Sequence, residues 1–133
     1  MNITYDETQK AMNASIEKAR ELNIPVSIAV VDTGGHLMNL ARLDSVYGVL
    51  DFAVKKAKTA IMFGVDSDVM GSIIAVAGLH SCGMLNANGG LLTIAGGMVI
   101  KNNKGKIVGA IGSSGGTPEQ DKEIAEAGAK ALS

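Results

Sequence analysis

Apolar residues at Met12, Ile16, Ala19 and Leu22 recur every three or four positions, the spacing that lines one face of an α-helix. Thr4 and Glu7 stand three apart ahead of that stripe, as in a capping box. Asn23 and Pro25 close it, because proline disfavours helical geometry at the residue before it. The period then changes. PVSIAVVD and HLMNLARLD are two β-branched or apolar runs around Gly34-Gly35, which predicts a β-hairpin.

Residues 45–63 return to a helical period through Val46, Val49 or Leu50, Ala53, Ala57 and Ala60, with Lys55, Lys56 and Lys58 off the centre of the stripe. A second short helix is expected from Ser67, as N-cap, to Gly78. Residues 79–90, LHSCGMLNANGG, have turn-like composition and read as a loop. LLTIAGGMVIKNNKGKIVGAIGSS supplies three more strand-like runs, with turns at Gly96-Gly97 and Asn103-Lys104-Gly105. Thr117, Pro118 and Gln120 open a last helix with a second capping box. The order α-β-β-α-α-β-β-β-α predicts an α+β domain with an antiparallel sheet, spanning residues 1–133 as one unit.

Composition narrows the function. Of 133 residues, 47% are hydrophobic and 19% charged, which excludes a disordered chain. Twelve Lys and Arg against thirteen Asp and Glu give a net charge of −1, with no basic footprint for nucleic acid or an anionic membrane. Four aromatic residues, Tyr5, Tyr47, Phe52 and Phe63, make no base-stacking platform. Seventeen Gly, seven Met and a mean hydropathy of +0.24 suggest apolar surface buried between subunits. The single Cys82, the absence of a secretory signal and the lack of an ~18-residue apolar span predict a cytoplasmic protein.

Few residues can carry chemistry. Ser113-Ser114-Gly115-Gly116 leads into a helix N-terminus, whose free amides and dipole suit a carboxylate or phosphate. The same glycine-rich turn also arises as a tight strand-to-helix connection capped by Thr117. His36 and His80 are the only histidines, and no HExxH or CxxC is present, which argues against zinc. One of them can still be an axial ligand to a macrocycle metal. His80 and Cys82 share a side if their segment is extended, but a nucleophilic cysteine there also needs an oxyanion hole. Arg42 and Lys56 can orient a carboxylate ligand, or form structural ion pairs with Asp44 or Asp32.

The runs VVDTGGHLMNLARLD, FAVKKAKTA, GGMVI and GKIVGAIGSSGGTPEQD, in that order and over nearly the whole chain, resemble the GlcG/HbpS family. That family includes the C-terminal domain of the PduO cobalamin adenosyltransferase and stand-alone proteins encoded beside diol and glycerol dehydratase genes. Asp32, Gly35, Arg42, Lys56, Gly112, Ser114, Gly115 and Asp121 match its motifs residue by residue. The chain departs from them at Met98-Val99, where many members carry a proline, and at residues 80–88, which lack a Pro-Gly loop.

The resemblance implies a profilin-like sandwich with a five-stranded antiparallel sheet, and a homo-oligomer from dimer to octamer. It implies a small-molecule or cofactor binder, for haem first and a corrinoid second, with a functional link to diol/glycerol dehydratases or a glycolate pathway. His36, Arg42, Lys56, Ser114 and Gly115 are the expected cofactor contacts, and His36 or His80 the expected axial ligand. Two alternatives stand beside it: an enzyme acting on a small hydroxy or oxo acid held at the Ser-Gly-Gly turn, and an oligomeric scaffold. Catalysis is left open.

Overall fold

The computed structural model describes residues 1–133. Helix α1 (Tyr5–Leu22) begins where the sequence places it, with Thr4 accepting from the Glu7 N–H and the Glu7 carboxylate answering the Thr4 N–H. It ends at Asn23, whose left-handed backbone (φ 57°) closes the last turn. Strands β1 (Ser27–Asp32) and β2 (Leu37–Arg42) form the predicted hairpin. Helices α2 (Tyr47–Phe63) and α3 (Ser67–Ala77) follow, then a single helical turn α4 (Leu79–Cys82) and 3₁₀ turns over Gly83–Gly89. Strands β3 (Gly97–Lys101) and β4 (Ile107–Ser114) make a second antiparallel hairpin, and α5 (Pro118–Lys130) closes the chain.

The sheet has four strands in the order β2-β1-β4-β3, all antiparallel, so β1 and β4 join the two hairpins at its centre. The expected fifth strand, residues 91–95, is absent. Its polar backbone groups are met from other directions: Leu91 donates to the Leu85 carbonyl, Leu92 to the Thr59 hydroxyl, and Ile94 accepts from Ser67. With those groups satisfied, the segment crosses α2 and α3 without joining the ladder. Gly96-Gly97 is accordingly the entrance to β3 and not a turn between two strands. Two further expectations change. Residues 79–86 are wound into short helical turns, followed by an extended Ala87 and a left-handed Asn88, and Ser67 is the first residue of α3, with Asp66 at the cap position. The Ser67 hydroxyl accepts from the Gly97 N–H, while the Asp66 carboxylate accepts from Val99. Two amides of the edge strand β3 are thereby covered, which blunts an edge that would otherwise template pairing.

Helices cover both faces of the sheet. On one side α1 and α5 enclose the larger core, with Met12, Ile28, Val30, Ile100, Ile111 and Ile124 at its centre. On the other, α2 lies on β4, β1 and β3 over a layer of small residues: Val31, Ala57, Ala60 and Ala110. The alternation within β1, Ile28 and Val30 one way and Val31 the other, is the two-residue period of a strand buried on both faces. Glycines bring α2 down. A methyl group on Gly112 would collide with the Ala53 carbonyl, and one on Gly97 with the Lys56 carbonyl. No single helix is long and apolar enough to cross a membrane.

Candidate functional site

Close approach of α2 to the sheet determines where Lys56 goes. It lies on the inward stripe with Ala53, Ala57 and Ala60, and is 2% exposed, contrary to the expectation that it falls off the stripe. Its side chain reaches across the end of the sheet, where Gly96 leaves room; a methyl group there would sit 2.9 Å from Lys56 Nζ. Nζ donates to the Ser113 carbonyl at 3.0 Å and to Asp121 Oδ2 at 3.1 Å. The ion-pair partner is therefore Asp121 of α5, and neither Asp32 nor Asp44. Asp121 Oδ1 accepts from the Gly116 N–H at 3.0 Å, so both carboxylate oxygens are engaged by the chain.

Beside this pair a cavity of about 300 Å³ opens at the head of α5. Lys56, Ser114, Gly115 and Asp121 form its polar wall, and Val49, Phe52 and Ile94 its apolar wall. Ser114 is 4% exposed and lines the cavity, and its hydroxyl takes no hydrogen-bond partner within the chain. The neighbouring Ser113 hydroxyl is fully enclosed and also unpartnered. Thr117 caps α5 by accepting from the Gln120 N–H, and Gln120 answers the Thr117 N–H.

His36 occupies a second place. It follows the β1–β2 turn, where Asp32 accepts from the Gly34 and His36 backbone N–H groups, both at 2.9 Å. His36 Nδ1 lies 3.3 Å from Asp32 Oδ1, and the imidazole is 83% exposed. The His36 N–H above all, with the Gly34 N–H and the imidazole, holds the Asp32 carboxyl below its usual range against the opposing effect of burial. The ring borders a cleft of about 370 Å³ whose other walls are Gly34, Gly35, Lys58, Ile61 and Met62. Gly35 has φ 80°, a conformation that glycine supplies without strain.

The remaining candidates lie elsewhere. Arg42 donates through Nε to the Ser45 carbonyl at 2.8 Å, and lines a separate cleft of about 350 Å³ with Arg20, Asn23 and Asp44. His80 and Cys82 are exposed on the short turn α4, where helical winding replaces the extended geometry that would have put them side by side. The structure thus brings Lys56, Ser114 and Gly115 together, and separates them from His36, Arg42 and His80. Asp121, which matches the family motifs but is absent from the expected cofactor contacts, completes the first cluster. Its signal was an acid on the inward stripe of α5, in line with Ile124, Ala125 and Gly128.

On the edge beyond β3, burial pushes the Asp66 carboxyl up, opposed by the Val99 N–H and reinforced by Asp68. Lys122 bridges Asp68 at 2.8 Å, and that contact raises the lysine.

A family model described as "Haem degrading protein HbpS-like" matches residues 3–130. The 15.0 kDa protein of the dhaT-dhaS intergenic region of Citrobacter freundii is 33% identical over 126 residues, 93% of this chain and 87% of the relative. The corrinoid adenosyltransferase PduO of the same organism is 31% identical over 137 residues. That match takes in 99% of this chain but only 39% of PduO, so the chain spans well under half of that enzyme. Among solved structures, the PduOC:heme complex superposes with a TM-score of 0.88 at 25% identity, covering 99% of this chain and 96% of the other. A doubly substituted HbpS of Streptomyces reticuli gives 0.88 at 30% identity, covering 100% and 88%.

Proposed function

Because the chain belongs to the HbpS-like family of haem-degrading proteins, we propose that it binds haem at the cleft beside His36, as a carrier, sensor or accessory factor. The likeness along the whole chain to PduOC in its complex with heme supports the reading. The observation that supports His36 as the ligand is its contact with Asp32. The Asp32 carboxylate stands on the Nδ1 side of the ring, which leaves Nε2 as the nitrogen facing away from it, and a carboxylate behind a ligating imidazole orients the ring.

The residues around that cleft fit the group. A haem site asks for an axial nitrogen, apolar contact for the macrocycle and a cation for the propionates. His36 offers the first, Ile61 and Met62 the second, and Lys58 the third. Bound haem would supply an iron centre whose redox potential follows its axial ligand and surroundings. Asp32 would orient His36 as that ligand, and Gly35 lets the turn approach without a side chain in the way. Arg42 and Lys56 have no part in this cleft, and His80 has no carboxylate beside it.

Hemin titration followed through the Soret band tests the reading. The expected result is saturable binding at a fixed ratio per subunit, lost in His36→Ala and kept in His80→Ala. Absence of a Soret shift, or one retained in His36→Ala, overturns it.

The outer face of α3 supports association of copies. Val69, Ile73 and Val76 recur there at helical spacing, and Val76 and the neighbouring Leu79 at the start of α4 are 89% and 87% exposed. A homo-oligomer buried through this face is the proposed assembly, and sedimentation of a Val76→Glu/Leu79→Glu variant as a smaller species is the expected result. The names of the relatives connect the chain to PduO and to the dhaT-dhaS region, which supports an accessory role in a diol or glycerol pathway.

A further inference from the structure

The cavity at the head of α5 shares no lining residue with the His36 cleft, and the proposed haem site makes no use of it. Its polar wall is rich in donors. An ammonium has three N–H bonds, and Lys56 directs two of them, to the Ser113 carbonyl and to Asp121. The third has no acceptor on the chain. Ser114 adds a buried hydroxyl, 4% exposed and unpartnered, on the same wall. The N-terminus of α5 adds the positive end of a helix dipole. Asp121 does not oppose an anion here as a free carboxylate would, because the Gly116 N–H and Lys56 occupy its two oxygens.

Opposite these donors, Val49, Phe52 and Ile94 present hydrocarbon, and Phe52 and Ile94 are about half exposed, at 48% and 47%. A buried donor cluster facing an apolar wall across about 300 Å³ has the chemistry of a small amphiphilic anion. A phosphate has no alkyl group to set against the apolar wall, and its second negative charge would find no second cation in the lining. A cation would find no free carboxylate oxygen.

We propose that this cavity binds a short-chain aliphatic carboxylate, with the carboxylate against Lys56 and Ser114 and the alkyl group against Phe52 and Ile94. Desolvated donors fix the head group, and removal of a hydrogen bond to a charged group costs about tenfold or more in affinity. The alkyl wall makes affinity rise with each methylene until the cavity is full.

The test uses the full chain, with ¹H–¹⁵N spectra recorded during titration by butyrate, acetate, butylamine and 1-butanol. The expected result is saturable shifts of the Ser114, Gly115 and Gly116 amides with butyrate, weaker binding of acetate, and no such shifts with butylamine. Ser114→Ala weakens butyrate about tenfold while leaving the rest of the spectrum in place. Phe52→Ala, at a half-exposed position, removes the advantage of butyrate over acetate. No saturable shift, equal response to butylamine or 1-butanol, or an unchanged affinity in Ser114→Ala overturns the proposal. Hemin added to the butyrate-saturated protein keeps the two sites distinct: competition between them would also overturn it, whereas a failed hemin titration alone leaves the carboxylate shifts as expected.

Discussion

Lys56 Nζ on α2 lies 3.1 Å from Asp121 Oδ2 on α5, and both side chains are almost wholly buried. The two helices lie on opposite faces of the sheet, so this one pair connects the outer layers around the sheet's end. The Ser113 carbonyl and the Gly116 N–H complete the arrangement, which leaves neither charge without a hydrogen bond except at the third Lys56 N–H.

Removing one partner strands the other, and a buried pair broken in that way costs about 3–5 kcal/mol. Lys56→Met and Asp121→Asn are therefore each expected to destabilise the chain strongly in urea unfolding. Lys56→Met/Asp121→Leu is expected to cost less than the sum of its parts, because no uncompensated charge is left. Additive losses in that double-mutant cycle would show that the two residues act separately.

Gly112 determines the distance between α2 and β4. A methyl group placed there meets the Ala53 carbonyl, which is backbone and has no rotamer to yield. Gly112→Ala is expected to cost about 1–3 kcal/mol through overpacking, seen as a lower urea midpoint with an unchanged slope. Gly48→Ala is the control, since nothing lies within 4 Å of a methyl group at that position. It should stabilise α2 by about 0.5–1 kcal/mol, the propensity difference between glycine and alanine in a helix.

These interior contacts show where the sequence was readable and where it was not. Both capping boxes, Thr4–Glu7 and Thr117–Gln120, are local patterns and form as their spacing requires. So do the two hairpins, whose turns at Gly35 and Gly105 have positive φ. Residues 91–95 misled because an apolar run carries no record of where its amides are satisfied, and here the acceptors are Thr59 and the Leu85 carbonyl. The partner of Lys56 was illegible for a related reason. Asp44 and Asp32 are near it in sequence, while Asp121 is 65 positions away and becomes a neighbour only when α5 packs on the sheet. Charges standing on otherwise apolar stripes, Lys56 on α2 and Asp121 on α5, were the available sign.

Asp66 carries a dependence on pH. Its folded-state pKa is raised above the ordinary 3.8, chiefly by burial, so the folded chain holds that proton more tightly than the unfolded chain. Its contribution to stability is accordingly greatest below the unfolded value and declines as pH rises through the raised folded value. Asp66→Asn keeps an acceptor for the Val99 N–H and removes the buried charge. The variant is expected to gain stability over the wild type at pH 7, by less than about 1 kcal/mol given partial solvent screening, and to lose that gain below pH ~4. Unfolding midpoints measured across that range check it, and a gain that persists at low pH would assign the effect to something other than ionisation.

Asp32 acts in the opposite direction and bears on haem. Its carboxyl is held low by the His36 and Gly34 N–H groups, so it is ionised at neutral pH, and its stabilising effect fades only as pH falls through the depressed folded value. Asp32→Asn leaves an oxygen for the two backbone N–H groups but takes the negative charge from His36 Nδ1, 3.3 Å away. Loss of a carboxylate behind a metal-ligating histidine costs about 10–100-fold in metal affinity. Hemin affinity of Asp32→Asn is expected to fall into that range while the urea midpoint at pH 7 changes little, because the turn's backbone hydrogen bonds survive. Gly34→Ala provides the contrast. Its methyl group would meet the His36 ring at 2.8 Å and turn the imidazole aside without altering charge. If hemin binds His36→Ala poorly but Asp32→Asn as well as wild type, the imidazole is the ligand and the carboxylate only shapes the turn.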